Sequence, residues 1–287
     1  MIILTAASMA CCHQKEKPAE SIGTAASVEA GSTEAQDASE DRSKNSENDL
    51  LTGESVLIGD FTVLSQLPEL PTGCEVTSLT MALNYAGIPA DKCDIADNYL
   101  EKGGVGEVDF RVAFEGDPRD EASYGCYAPV IVKAANQYLS ANGYSMKAVD
   151  LTGTDFDALL SYPDDATPVI IWGTVDCEEP VNRTTWIVDD VELKWYSPEH
   201  CMVLLGYDDQ QVAVADPLKG EIVKFDRELF KARYNDLFQQ AVVIVSDDDP
   251  SGKAADATQE NAAEESDDDA AYDAENDAPE ESAEQLK

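Results

Sequence analysis

The stretch PTGCEVTSLTMALNYAG, residues 71–87, decides how the first half of this 287-residue chain folds. Its apolar residues recur so closely that they cover most of a helical circumference, as in a helix that is buried on all sides. They include Val76, Leu79, Met81 and Leu83. Gly87 ends the pattern, because glycine readily adopts the left-handed conformation that closes a helix. We predict a central helix over 75–86, with Cys74 at its amino end.

Downstream of this helix the pattern changes from helical to extended. Further helical periods cover 90–100, 128–143, 155–161 and 226–235. Strand patterns cover 168–175, the hairpins 185–197 and 200–217, and the segments 221–225 and 240–246. A helical first half followed by an antiparallel second half indicates an α+β domain over 56–246. We expect a functional site where the helical lobe meets the sheet.

Charge and composition separate this domain from its two flanks. The net charge is −39, and residues 247–287 contain sixteen Asp and Glu against two Lys. Neither flank has enough apolar surface to offset the entropy of ordering, so we predict a disordered linker over 14–55 and a disordered acidic tail over 247–287. Strong acidity repels phosphate and argues against nucleic acid as a partner. We interpret the tail as a solvated extension, with a cation-binding or protein-docking tail as the alternative.

Residues 1–13 resemble the end of an export signal. The apolar start turns abruptly polar at Cys11 and Cys12, either of which is a candidate for lipid attachment in a bacterial lipoprotein. Ser8 stands where a lipobox prefers leucine, and no basic residue precedes the apolar run. That run is too short to span a bilayer. We predict an exported protein that is tethered at the cell surface only through an amino-terminal lipid.

Imidazole is scarce in this chain, which narrows the choice of a general base. Of the two histidines, His13 lies in the leader and His200 opens the strand pattern HCMVLLGYDD. Asp216 follows 16 residues later on the next strand of the hairpin, where a carboxylate can fix the imidazole tautomer. Cys74 is the matching nucleophile, since the amides of a first helical turn lower the pKa of a thiol. Each residue alone also fits a structural role, as a buried thiol, a polar strand start or an Asp-Pro turn.

The remaining cysteines of the domain give no sign of a metal site. They are Cys93, Cys126, Cys177 and Cys201. Their separations lack the paired two-residue spacing of zinc ligands. We predict buried free thiols with at most one disulfide, no metal and no cofactor.

Four segments, in order, resemble a known family. They are QLPELPTGCEVTSLTMALNYAG, FEGDPRDEASYGCYAPVIVKAANQYL, EHCMVLLGYDDQQVAVADPLKG and QAVVIV. This arrangement is similar to the papain-fold cysteine peptidases related to the double-glycine leader peptidase domains of bacteriocin exporters. The resemblance implies a papain-like fold, with Cys74 as nucleophile, His200 as general base and acid, and Asp216 as the orienting residue. It also implies Gln66 as the oxyanion-hole side chain, for which an exposed loop glutamine is the alternative.

Two functions are consistent with these residues. The first is an exported, monomeric cysteine peptidase that acts on a peptide or protein through an acyl-enzyme. The second is a surface-tethered binding module that keeps the fold without catalysis; acyl transfer to an added amine is a third. Glu75 and Glu199, which flank the nucleophile and the base, fit either a helix-start charge or a hydrogen-bond acceptor behind the site. Core packing is favoured over cleft lining for most of Trp172, Trp186, Trp195 and Tyr196.

Overall fold

The structure is a computed structural model that describes residues 55–248. The predicted leader over 1–13, the linker apart from its last residue, and the acidic tail from residue 249 onward lie outside the described residues. Within the described span, the helices are all too short or too polar to cross a membrane.

Helix α1, Cys74–Tyr85, is the predicted central helix, shifted by one residue at either end. Every residue from Cys74 to Leu83 is buried. The hydroxyls of Thr77 and Thr80 donate to backbone carbonyls one turn earlier, at 2.8 Å each, so these buried polar groups are satisfied within the helix. The other helices are α2 (Lys92–Asn98), α3 (Ala128–Ala141), α4 (Phe156–Leu159), α5 (Ser161–Asp164) and α6 (Arg227–Asp236).

Strands dominate the second half of the described chain. They are β1 (Val56–Leu57), β2 (Lys102–Gly103), β3 (Phe114–Glu115), β4 (Met146–Asp150), β5 (Val169–Thr174), β6 (Val181–Val188), β7 (Val191–Ser197), β8 (Glu199–Tyr207), β9 (Gln211–Asp216), β10 (Glu221–Asp226) and β11 (Ala241–Ser246). Seven of them form one antiparallel sheet in the order β10-β9-β8-β5-β11-β4, with β1 paired to the end of β8. β6 and β7 form a separate hairpin. The predicted α+β arrangement, helices first and antiparallel sheet second, is confirmed.

Two strands of the main sheet, β1 and β4, are absent from the sequence-based prediction. β1 has only two residues. In β4 only Ala148 is buried, so its sequence carries little apolar signal. Its partner is β11 at the far end of the domain, from Met146 opposite Ser246 to Asp150 opposite Val242. A pairing between such distant segments is not visible in a local pattern.

Strand β8 lies inside the sheet and is covered on both faces. Because successive side chains of a strand point to opposite faces, Cys201 lies on the face that carries α1, whereas Met202 and Leu204 belong to the hydrophobic cluster of the other face, together with Phe156 of α4 and Phe230 of α6. Burial on both faces explains why this strand reads as one continuous apolar run.

Two of the three tryptophans pack inside the protein, whereas Trp186 is only partly buried. Trp195 of β7 is buried, stacks on Tyr127 with ring centroids 5.9 Å apart, and meets Phe110 edge-on at 5.3 Å. Trp172 of β5 is also fully buried, and its Nε1 donates to the Cys126 carbonyl at 3.0 Å. The core packing favoured for these two side chains is therefore confirmed.

Candidate active site

Cys74 is the first residue of α1 and follows a turn that only glycine fits. The Gly73 amide donates to the Leu70 carbonyl at 3.0 Å. A Cβ on Gly73 would stand 2.7 Å from the Leu70 Cβ, closer than carbon atoms can pack. The absence of a side chain at residue 73 therefore lets the chain enter the helix at Cys74.

Helix α1 is docked on β8 near its start. The Ser78 hydroxyl donates to the Cys201 carbonyl at 3.2 Å. Cys74 lies one turn before Ser78 and therefore on the same side of the helix. A hydrogen bond from the Cys201 backbone acts on the Cys74 sulfur, in the direction that lowers the pKa of the Cys74 thiol. Cys74 is thus placed beside the strand residue that follows His200.

His200 and Asp216 form a buried pair on the neighbouring strands β8 and β9. His200 Nε2 and Asp216 Oδ1 are 2.7 Å apart, and the side chains are 3% and 1% exposed. The same carboxylate oxygen accepts from the amides of Leu218 and Lys219. Burial alone would raise the pKa of Asp216, but the hydrogen bond and charge of His200 and these two amides outweigh it and lower that pKa.

The Cys74 sulfur takes a different partner. Its Sγ donates to Glu75 Oε2 at 3.3 Å, while Glu75 Oε1 accepts from the Cys126 amide at 2.7 Å. Among the described residues, Sγ makes no hydrogen bond to His200. Burial raises the pKa of the Cys74 thiol well above its usual value, and the carboxylates of Glu75 and Glu199 raise it further. The prediction of a lowered thiol pKa is therefore wrong for this arrangement.

Glu199, the first residue of β8, completes a cluster that we call the thiol–carboxylate cluster: Cys74, Glu75 and Glu199. One ligand atom from each, a sulfur and two carboxylate oxygens, lies within 4.8 Å of the others. Glu199 Oε1 is sealed from solvent and has no hydrogen-bond partner. Burial raises the pKa of Glu75 to about 7, and burial together with the Glu75 charge raises that of Glu199. The sequence left both glutamates undecided, because it does not show that they meet.

Gln66 is buried, at 3% exposure, so the alternative of an exposed loop glutamine is wrong. Its Nε2 donates to the Pro71 carbonyl at 2.8 Å, in the turn before Cys74. Its backbone amide donates to the Pro217 carbonyl at 2.8 Å, next to Asp216. Gln66 thus links the turn that carries the thiol to the turn that follows the aspartate.

The five cysteines of the described residues are all free thiols, which agrees with the prediction of free cysteines. Cys74, Cys126, Cys177 and Cys201 are buried, and Cys93 is partly exposed. Cys93 is therefore the reference thiol against which the reactivity of Cys74 can be measured.

Comparison with known proteins places these residues in a family context. The profile of the Peptidase C39-like family matches residues 58–242. The uncharacterized protein YvpB of Bacillus subtilis strain 168 is 30% identical over 214 residues, which cover 72% of this chain and 83% of YvpB. A crystal structure from Bacillus anthracis, assigned as a C39-like peptidase, has a TM-score of 0.60 at 34% identity and covers 68% of this chain and 98% of that one.

Proposed function

Because this chain belongs to the Peptidase C39-like family, we propose that it is a cysteine peptidase that cleaves peptide bonds through Cys74, His200 and Asp216. Membership of this family implies a peptide or protein substrate. The observation that supports the proposal most is the buried contact of 2.7 Å between His200 Nε2 and Asp216 Oδ1. A carboxylate on one ring nitrogen fixes the tautomer and leaves Nδ1 to exchange a proton with the thiol.

The proposed reaction starts by turning the sulfur. In the resting arrangement the thiol donates to Glu75. Rotation about the Cα–Cβ bond of Cys74 would redirect Sγ towards Nδ1 of His200, which takes up the thiol proton. The resulting thiolate–imidazolium pair is the nucleophilic form, because a neutral thiol attacks a carbonyl poorly.

The remaining steps follow from this ion pair. The thiolate attacks the substrate carbonyl carbon, and the protonated His200 then gives its proton to the leaving amine, which leaves an acyl-enzyme on Cys74. Water, deprotonated by His200, attacks the acyl group and releases the carboxylic acid and the free thiol.

Gln66 supports the same reaction as an oxyanion donor. Its Nε2 carries two hydrogens, and the Pro71 carbonyl accepts one of them. The second hydrogen and the amide of Cys74 are the two donors we assign to the developing oxyanion. Donors that are already fixed stabilise the transition state without reorganisation, which is why a buried glutamine suits this position.

Comparison of the wild-type chain with Cys74→Ala tests the proposal. Both are incubated with a peptide library, and products are identified by mass spectrometry. Cleavage is expected with wild type and with Cys93→Ala, the matched control, and not with Cys74→Ala. Cleavage that survives Cys74→Ala would overturn the assignment of the nucleophile.

A second candidate function, a binding module without catalysis, is favoured by one observation. The Cys74 thiol is buried and faces carboxylates, which raise its pKa rather than lower it. In that case a peptide from the library binds wild type and Cys74→Ala equally, and neither cleaves it. Retention of peptide by both proteins without any product distinguishes this function from a peptidase.

We also propose that the chain is exported and anchored by a lipid on Cys11 or Cys12, in a stretch outside the described residues. Growth with a clickable fatty acid should label the wild-type chain in a bacterial host. Replacement of both cysteines by alanine should abolish the label and release the protein from the membrane fraction. A label that persists in the double variant would contradict the anchor.

A further inference from the structure

The thiol–carboxylate cluster has the donor set of a metal site. We propose that Cys74, Glu75 and Glu199 bind a zinc ion that blocks the thiol. The three side chains present one sulfur and two carboxylate oxygens within 4.8 Å of one another. Zinc takes cysteine sulfur at about 2.3 Å and carboxylate oxygen at about 2.0–2.2 Å, so small movements of these side chains close the site.

The two elements that carry the donors are fixed relative to each other. Cys74 and Glu75 belong to the first turn of α1, and Glu199 is the first residue of β8. Ser78 lies one turn further along α1, and its hydrogen bond to the Cys201 carbonyl holds the start of the helix against this end of the strand. The donors are therefore held close together in the folded protein.

The second observation is a missing counter-charge. Glu199 Oε1 is sealed from solvent and has no hydrogen-bond partner. Glu75 is fully buried, and its carboxylate hydrogen-bonds to the Cys126 amide and the Cys74 sulfur. The ion pairs of the described residues include neither glutamate. Glu199 as a whole is partly exposed, but an ionised carboxylate oxygen that is sealed from water is normally paired with a cation or bound to a metal, and neither glutamate has such a partner among the ion pairs of the described residues.

The chemistry of the donors selects the metal. A thiolate ligand favours zinc and disfavours magnesium and calcium, which take only oxygen donors. On binding, the thiol proton leaves to solvent and a bond forms between Sγ and the ion. Glu75 Oε2 and Glu199 supply two further ligands, while Glu75 Oε1 stays on the Cys126 amide. Water completes the four ligands.

The consequence for activity rests on the proposed function, whereas the binding does not. A sulfur that is bonded to zinc has no proton to give to His200 and is not free to attack a carbonyl. Zinc would therefore inhibit the peptidase reversibly, and a chelator would restore it.

Cobalt(II) is the probe for this site, because a thiolate bound to cobalt gives an intense near-ultraviolet absorption that carboxylates do not give. The full chain is used with Cys11→Ser and Cys12→Ser in every protein, so that the leader thiols do not contribute. One equivalent of cobalt is expected to produce the band, and one equivalent of zinc to abolish it. The acidic tail can bind cobalt without producing this band.

Variants separate the cluster from other thiols and carboxylates. Cys74→Ser should remove the band, and Glu199→Gln should weaken cobalt binding by about tenfold or more. Cys93→Ser and Glu115→Gln are the matched controls, since Cys93 is a thiol elsewhere and Glu115 is another buried carboxyl with an unpartnered oxygen. Both controls should keep the band at full strength.

The outcomes distinguish the site from the proposed function. A band that is absent in wild type, or that persists in Cys74→Ser, overturns the site whether or not the protein cleaves peptides. A band without peptidase activity leaves the site standing and counts against the function. If the protein is active, zinc should inhibit wild type and the Glu115→Gln control, and Glu199→Gln should require about tenfold more zinc.

Discussion

On the strand side of the candidate active site, formed by β8 and β9, His200 Nε2 and Asp216 Oδ1 are already 2.7 Å apart. On the helix side, at the start of α1, the Cys74 sulfur instead donates to Glu75 and lies near the carboxylate of Glu199. The strand pair is arranged for proton transfer, and the thiol is not. The amides of a helix start favour an anion by about 0.3–1 kcal/mol, up to about 2 kcal/mol when partly buried. Burial can shift a pKa by up to about 3–5 units, so it outweighs the helix here.

We expect the largest effect from Asp216→Asn, because this substitution disrupts the His200–Asp216 pair, which is already arranged for proton transfer. Asparagine keeps the shape, and its carbonyl oxygen can still accept from the Leu218 and Lys219 amides and from Nε2, but it removes the negative charge that stabilises the protonated His200. We expect kcat/KM on a cleaved peptide to fall by about a thousandfold. Asp226→Asn, at the start of α6, is the control and should retain activity, because asparagine also caps helices well.

If Asp216→Asn lowers kcat/KM no more than Asp226→Asn does, the His200–Asp216 pair is structural. The preformed contact between His200 and Asp216 would then not contribute to catalysis.

Glu75→Gln tests the other side of the comparison. It removes a negative charge next to Sγ while keeping an oxygen that can accept from the Cys126 amide. Burial remains, so only part of the raised pKa of Cys74 should be relieved. We expect iodoacetamide to alkylate Cys74 about tenfold faster at pH 7, which corresponds to about one pKa unit. Mass spectrometry of the Cys74 peptide, with the Cys93 peptide as reference, measures the rate.

Glu115→Gln is the matched control for this variant and should leave the Cys74 rate unchanged. A slower rate in Glu75→Gln would mean that the Glu75 carboxylate assists ionisation of the thiol. In that case the hydrogen bond from Cys74 to Glu75 activates the sulfur, and the thiol is arranged for catalysis as well as the His200–Asp216 pair is.

The sequence predicts the strand side better than the helix side, for a physical reason. His200 and Asp216 belong to one hairpin, so alternation and the length of the turn already place them on neighbouring strands. The Cys74 sulfur donates to Glu75, whose carboxylate also accepts from the Cys126 amide and lies near Glu199. Cys126 and Glu199 come from parts of the chain that are distant from Cys74. Local periodicity holds no information about such contacts.

The same distinction applies to the fold. Helix α1 and the β8–β9 hairpin are predictable because each is defined by its own residues. Strand β4 is defined by its pairing with β11, and its mostly half-exposed residues give no sign of it. The family resemblance implies a role for Gln66, but the burial of Gln66 and its hydrogen bond to the Pro71 carbonyl arise from the fold of the loop around it.

Glu199→Gln gives the smallest effect, on stability. Burial raises the pKa of Glu75 from 4.5 to about 7, and the pKa of Glu199 is raised as well. The folded protein therefore holds protons on these two carboxyls that the unfolded chain would release. The contribution of Glu75 is therefore complete below about pH 4.5 and is lost as the pH rises through about 7, and that of Glu199 is likewise lost as the pH rises. Removing one carboxyl should leave the free energy of unfolding in urea similar at pH 5 and raise it by about 1 kcal/mol at pH 8. Glu192→Gln, at an exposed position of β7, should follow wild type at both pH values. An equal effect of Glu199→Gln at both would mean that the buried pair does not ionise in this range, and the contrast between the two sides would not depend on charge.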